Sequence, residues 1–268
     1  MPLIETNGTR IHVTDSGGDG PAVVLGHGLL FSGWMYFPQV AALRDRYRCI
    51  TVDWRGQGQS PPATAGGYDM DTLTDDLVGV LDAFGLDAVH YVGLSMGGFV
   101  GMRLAARHPE RVRSLTLLDT SAGPEDPDKV SRYRLLAKVY RLFGMGRVAS
   151  KVEPIMFAPG FGDEPDERAL IDEWMGQLKQ VTRSGMQQAI YGVTDREPIL
   201  PELGAITAPT LVATGQHDVA TPVAKAEVIA AAIPGARLVV IPGAGHSSTL
   251  ERPDVVTDLI ETHLAKHG

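Results

Sequence analysis

Only one cysteine, Cys49, stands among the 268 residues, so the chain cannot close a disulfide on itself. It lies within Tyr47-Arg48-Cys49-Ile50-Thr51-Val52, which has the composition of a buried strand, and is read as an inert core thiol. Basic residues are in the minority: 24 Lys and Arg face 32 Asp and Glu, for a net charge of −8. Neither a basic stripe nor a run of like charge is present, which argues against a nucleic-acid partner or an anionic lipid surface. Apolar runs stop short of the roughly 18 residues that a membrane helix needs. Met1-Pro2-Leu3-Ile4-Glu5 offers neither a basic leader nor a following apolar stretch, so a cytoplasmic location without membrane attachment is the expectation. No G-x-G-x-x-G or G-x-x-x-x-G-K-[ST] string occurs, and no Cys/His/Asp cluster has metal-ligand spacing. The expectation is therefore no cofactor and no metal. Internal repeats and low-complexity tracts are missing as well.

What is present is an alternation of short β-branched runs and longer helical stretches, from residue 20 to about 120 and again from about 205 onward. That pattern specifies an α/β fold, a mostly parallel doubly wound sheet with crossover helices. Strands are expected at Ala22 to Gly26, Arg48 to Asp53, Ala88 to Leu94, Val112 to Asp119, Thr210 to Gly215 and Arg237 to Ile241. Most are continuous apolar runs, as strands covered on both faces should be. Upstream, Thr6-Asn7-Gly8 separates Leu3 to Glu5 from Thr9 to Asp15 and predicts an antiparallel hairpin at the sheet edge. Helices are expected at Asp71 to Phe84, Met96 to His108, Val223 to Ala232 and Pro253 to Ala265.

Between about Ser121 and Leu200 the alternation lapses, and helical patterns at Lys129 to Phe143 and Asp166 to Thr182 take its place. This divides the chain into a core of residues 1–120 and 201–268 and an inserted helical cap, or lid, of residues 121–200. The cap holds Met145, Met156, Met175 and Met186 with Phe143, Phe157, Phe161 and Trp174, a set that at helical spacing is more often plain core but over a catalytic face can also form an adaptable pocket lining.

The chemistry-bearing signal is Gly93-Leu94-Ser95-Met96-Gly97-Gly98, which follows a predicted strand directly and opens a predicted helix. In that context G-x-S-x-G marks a sharp turn that projects a serine at the carboxyl edge of the sheet, with small residues demanded at the flanks. A serine hydroxyl is a poor nucleophile until a base takes its proton, so a histidine and an orienting carboxylate should follow. His246, in Gly243-Ala244-Gly245-His246, and Asp218, in Gly215-Gln216-His217-Asp218, each follow a strand and point to the edge that carries Ser95. His217 is the rival base and Asp119 the rival acid. Backbone N–H groups for an oxyanion hole are expected from Met96 and from Leu29, with Leu30 the alternative, in the loop His27-Gly28-Leu29-Leu30. A substrate pocket is expected from His27, Leu30, Phe31 and Trp34 together with Phe143, Met145, Phe157, Trp174 and Met175 of the cap. Arg103, Arg132 and Arg134 are weighed as anchors for a carboxylate substrate and read instead as solvated.

His27-Gly28, Asp53-Trp54-Arg55-Gly56-Gln57-Gly58-Gln59-Ser60, Gly93 to Gly98, Asp218 and His246 occur in the order of the α/β-hydrolase pattern, which the chain resembles throughout outside its cap. The resemblance implies Ser95 as nucleophile, Asp218 as acid, His246 as base and a helical lid above them. More narrowly, Leu118-Asp119-Thr120-Ser121-Ala122 and the tract from Thr194 to Leu203 look like 3-oxoadipate enol-lactonases. His27-Gly28 and Ser95-Met96-Gly97-Gly98 look like the cofactor-free haloperoxidases that also act as esterases and perhydrolases. The expected function is a serine hydrolase of the carboxylesterase or lactonase type, acting on a small to medium ester or lactone through an acyl-enzyme. Alternatives with the same residues are perhydrolysis, carbon–carbon bond hydrolysis and a slow-turnover ligand sensor. The small-molecule substrate is the expected partner, and a homo-oligomer is left open.

Overall fold

The computed structural model describes residues 3–267. Among them, eight strands form one sheet: β1 (Leu3–Thr6), β2 (Thr9–Asp15), β3 (Ala22–Gly26), β4 (Arg48–Asp53), β5 (Val89–Leu94), β6 (Val112–Leu118), β7 (Thr210–Gly215) and β8 (Arg237–Ile241). Their spatial order is β1-β2-β4-β3-β5-β6-β7-β8. From β4 to β8 every pairing is parallel, while β1 and β2 add an antiparallel edge. The edge hairpin turns at Asn7 and Gly8, both with positive φ, as a two-residue turn between right-twisted strands requires.

Ten α-helices follow the chain: α1 (Phe37–Leu43), α2 (Met70–Ala83), α3 (Met96–Arg107), α4 (Pro127–Phe143), α5 (Ala149–Met156), α6 (Pro165–Leu178), α7 (Arg183–Thr194), α8 (Val223–Ala232), α9 (Ser248–Glu251) and α10 (Pro253–His267) among the described residues. The sheet sends alternate side chains to opposite faces, so β3 places Val24 in one core and Val23 and Leu25 in the other. The first core packs α2, α3 and α8, through residues such as Leu77, Val100 and Ile229. The second packs α1 and α10, through Leu43 and Ile260. Cys49 is buried in that second core, where burial pushes its thiol up to about 11.

Helices α4 to α7 lie between β6 and β7, the region expected to form the cap. The sequence pattern predicts two helices there, and the structure has four. Proline inside α5, at Pro154, and glycine inside α7 mask the periodicity that would otherwise mark them. No helix of the described residues is long and apolar enough to cross a membrane.

The turn from β5 into α3 leaves no room for a side chain at its flanking glycines. A Cβ at Gly93 would strike the backbone of Gly97, and one at Gly97 would strike the carbonyls of Gly26 and His27. Backbone atoms on both sides leave nothing to yield. Gly97→Ala is therefore expected to destabilise the protein by more than about 3 kcal/mol in urea unfolding. Gly176→Ala, in the interior of α6 with no atom within 4 Å of the added methyl, is expected to stabilise by roughly 0.5 to 1 kcal/mol. Equal effects at the two positions would contradict the reading of the turn.

Candidate active site

Ser95 has φ 52 and ψ −112, a conformation L-residues rarely adopt. Local hydrogen bonds hold it there: its N–H donates to Leu118 O at 2.9 Å, and its carbonyl accepts from Thr120 Oγ1 at 2.8 Å and from Phe99 N–H at 3.0 Å. Its hydroxyl does not cap α3. It faces a cavity shared with His246, containing about 850 Å³ of space free of atoms, mouth included.

His246 and Asp218 come from the loops after β8 and β7. The imidazole Nδ1 lies 2.9 Å from Asp218 Oδ2, and both side chains are buried. Three further donors reach the same carboxylate: the N–H groups of Ala220 and Thr221 at 2.8 and 2.9 Å on Oδ1, and Thr221 Oγ1 at 2.7 Å on Oδ2. Burial works against the charge on Asp218, but attraction to His246 and the hydrogen bonds from His246 and Thr221 prevail, holding it below its ordinary value. His246 shows the converse: burial pulls it down, and the charge and hydrogen bond of Asp218 hold it above the ordinary histidine value.

The two rivals lie elsewhere. His217 is exposed, and its backbone N–H is what ties it to Ala244. Asp119 is fully buried with φ 45, bonded to Gly215 N–H at 2.7 Å and to Ser248 Oγ. Burial first, and then the nearby negative charge of Asp218, raise Asp119 well above the usual carboxylate range. Its two hydrogen bonds brace the β7 and α9 ends, while Asp218 takes the imidazole.

On the opposite side of Ser95 runs the loop after β3. A Cβ on Gly28 would sit 3.3 Å from Ser95 Cβ, so this backbone passes directly over the serine. Leu30 has φ 69, and its N–H donates to Gln57 Oε1 at 3.2 Å, which removes it as a free donor. Leu29 N–H has no protein acceptor among the described residues, and Met96 N–H sits at the first position of α3, ahead of any intrahelical acceptor.

The expected pocket lining divides. Leu29, Leu30 and Met145 line the cavity, joined by Phe99, Tyr133, Leu136, Tyr140, Val152, Met156 and Ile190. His27, Phe31, Trp34, Phe143, Phe157 and Trp174 do not, and their readings as pocket residues are corrected. His27 is fully buried behind the loop: its Nδ1–H donates to Gly28 O at 2.7 Å and its Nε2 accepts from Trp54 N–H at 3.1 Å. Burial lowers its pKa, consistent with a neutral ring that pins the loop to β4. Phe31 stacks on Trp174 at 5.7 Å between ring centroids, and Phe157 meets both rings edge-on and stacks on Phe161 at 5.2 Å. With Trp174 Nε1 donating to Leu30 O at 2.8 Å, this aromatic knot fastens α6 to the loop instead of lining the cavity. Phe31, Trp34 and Trp174 border a second, wider cleft on the far side of Leu30. Phe143, at the end of α4, is 65% exposed. Met175 is partly buried against the second core, outside the cavity lining.

Two further residues support the site, Gln57 from within the tract Asp53 to Ser60 and Glu251 from outside every quoted motif. Buried Gln57 bridges the loop to α3, accepting from Leu30 N–H and placing Nε2 3.7 Å from Met96 Sδ. Buried Glu251 accepts from the N–H groups of Gly245 and Ser247, both at 3.0 Å, and of Ala158 at 2.8 Å, so one carboxylate brackets His246 and ties the segment after α5 to it.

Residues 21–253 match the model of the α/β hydrolase fold family, and the chain belongs to that family. Among its relatives, RutD of Variovorax paradoxus, whose name assigns it provisionally to carbamate hydrolysis, is 31% identical over 250 residues, covering 92% of this chain and 93% of its own. The crystal structure of the enol-lactonase from Burkholderia xenovorans LB400 superposes with a TM-score of 0.90 at 30% identity, covering 98% of this chain and 100% of its own. A thermophilic esterase from Thermogutta terrifontis, crystallised with malate, gives a TM-score of 0.89 at 32% identity, covering 97% and 95%.

Asp218 supplies the two largest influences that raise His246 against the burial that lowers it, so replacing Asp218 lowers the imidazole pKa. The His246 imidazole is expected to titrate above the ordinary histidine value in the wild type and at distinctly lower pH in Asp218→Asn, followed by NMR of ring-labelled histidine. An unchanged midpoint would break the assigned pairing.

Proposed function

We propose that the protein hydrolyses a small to medium, uncharged carboxylic ester or lactone by way of an acyl-enzyme. The observation that carries this reading is that Ser95 and His246 face one apolar cavity while Asp218 holds the far nitrogen of the imidazole. Ser95 Oγ attacks the substrate carbonyl as His246 Nε2 accepts its proton. Asp218 keeps the proton on Nδ1, which leaves Nε2 free as the base, and stabilises the imidazolium that forms. The tetrahedral oxyanion takes hydrogen bonds from Leu29 and Met96 N–H, and the positive end of α3 adds to them. His246 then returns its proton to the leaving alcohol, and water releases the acyl group by the same steps in reverse order of roles.

The enol-lactonase and esterase neighbours support ester-type chemistry, and the RutD relative adds carbamates as substrates to include in a screen. A catalytic histidine must be neutral to accept the proton. With His246 raised, kcat/KM is expected to climb with pH through a midpoint above the ordinary histidine value.

On a ladder of p-nitrophenyl esters, kcat/KM should rise by about fourfold per methylene over the first few acyl carbons, from about 0.8 kcal/mol each, and fall once the cavity is full. Ser95→Ala and Asp218→Asn are each expected to lower it by about 10⁴. Asp119→Asn is a near-isosteric change at a side chain bonded to Gly215 and Ser248 and not to the imidazole, and should stay within about tenfold of wild type. Ester hydrolysis that survives Ser95→Ala, or equal losses at the two aspartates, would overturn the assignment.

A further inference from the structure

The cavity above Ser95 is apolar except for a short series of groups, and the one charged side chain among its lining residues that is not part of the proposed triad is Glu125. It stands in the loop between β6 and α4. Its partner, Arg196, follows α7 and pairs with Glu125 Oε2 at 2.9 Å, with side-chain exposures of 3% for Arg196 and 11% for Glu125. The guanidinium is otherwise committed: Nε donates to Gly123 O at 3.1 Å, Nη1 also to Val193 O at 2.8 Å, and Nη2 to Ser121 Oγ at 3.2 Å. Its carbon lies 4.4 Å from the centroid of Phe99, whose ring is part of the cavity wall. The cation is thus held behind Phe99, and the anion faces the cavity.

No lysine or arginine is among the lining residues. Arg103, the cation nearest the elbow in sequence, is engaged by Asp71 at 2.7 Å and by Glu197 O at 2.6 Å, and Arg134 is spent on Asp195. A substrate carboxylate entering this space would lose its water, meet no counter-charge and stand against Glu125. Burying an unpaired anion is strongly unfavourable, and a like charge adds to the cost. The Glu125 carboxylate still has acceptor capacity: Asp126 N–H takes one site on Oε1 at 3.0 Å and Arg196 one on Oε2, out of about four lone-pair directions. Tyr133, also in the wall, is close enough that the charge of Glu125 adds to burial in pushing its phenol up to about 12.

We propose that Glu125 is the specificity-determining residue of this cavity, accepting a hydrogen bond from an uncharged hydroxyl or N–H on the substrate's non-reacting end and rejecting a carboxylate there. The inference rests on the ester-hydrolase reading and refines it, setting this chain apart from any relative whose substrate carries a free carboxylate.

Three aryl esters of matched length test it: p-nitrophenyl hexanoate, its ω-hydroxy analogue and mono-p-nitrophenyl adipate. The wild type should use the adipate ester at least about tenfold less well than the hexanoate, by kcat/KM. Glu125→Gln, which removes the anion and unmasks Arg196, should shrink that ratio by about tenfold or more. Glu125→Asp keeps the charge and the Arg196 partner, so a folded protein is expected. It should still reject the adipate ester but lose the preference for the hydroxy ester, because the shorter side chain withdraws from the cavity. The same three esters are titrated into Ser95→Ala by calorimetry, so the binding order is read even without turnover. Unaltered ratios in both variants, with the hexanoate ester still hydrolysed, would overturn the role of Glu125 and leave the hydrolase reading standing. Loss of all Ser95-dependent turnover, with the binding order intact, would overturn the hydrolase reading alone. Tight binding of the adipate ester by the wild type would reject the proposal outright.

Discussion

The structure depends on a serine held in a left-handed conformation where a strand becomes a helix. At φ 52 this conformation costs about 1 to 3 kcal/mol, and it survives because the surroundings allow nothing else. Gly93 and Gly97 let the two backbones touch, and Leu118 and Thr120 hold the serine peptide from the neighbouring strand. The return on this strain is position. The Ser95 hydroxyl stands clear of the sheet, beside a helix N-terminus and an open cavity, with no structural hydrogen bond at the helix cap to restrain it.

Around that turn, backbone strain recurs where function would use it. Three of the four non-glycine residues with positive φ among the described residues are Leu30, Ser95 and Asp119, and the fourth is in the edge hairpin. Each is locked by a buried side chain from another segment: Gln57 on Leu30, Thr120 on Ser95, Ser248 on Asp119. The cap is joined to this framework through specific contacts, the Phe31, Phe157 and Trp174 knot and the Glu251 carboxylate. A cap held this way supplies the apolar wall and at the same time stiffens the loop that carries Leu29.

The mostly parallel sheet and its antiparallel edge hairpin were legible in the sequence pattern, and because parallel strands deliver their following loops to one edge, Ser95, Asp218 and His246, each in a segment that follows a strand, could be expected at that edge. The family match agrees with the fold reading. The pocket lining was only partly legible. Aromatic residues in the cap and in the loop after β3 look alike in sequence whether they face a cavity or each other. Phe31, Phe157 and Trp174 pack together, and Phe143 faces solvent, because the rotation of each cap helix is set by tertiary packing. His27 reads as a site residue for being next to Gly28, yet its two ring nitrogens are both consumed inside the fold. Glu125 and Glu251, and the partner of Gln57 within its motif, were illegible for another reason. Gln57 on Leu30 N–H, Glu125 on Arg196 and Glu251 on Ala158 N–H each reach a group far along the chain, and no local pattern encodes such a pairing.

The central claim is that Ser95, His246 and the N–H groups of Leu29 and Met96 converge on one reacting carbonyl. A crystal structure of the protein inactivated by a short alkyl p-nitrophenyl phosphonate tests it most directly. The account predicts a single adduct on Ser95 Oγ, with one phosphonyl oxygen about 2.7 to 3.1 Å from both the Leu29 and Met96 nitrogens and His246 Nε2 facing the oxygen that replaced the leaving group. An adduct on any other residue, or a phosphonyl oxygen turned away from both nitrogens, would contradict it.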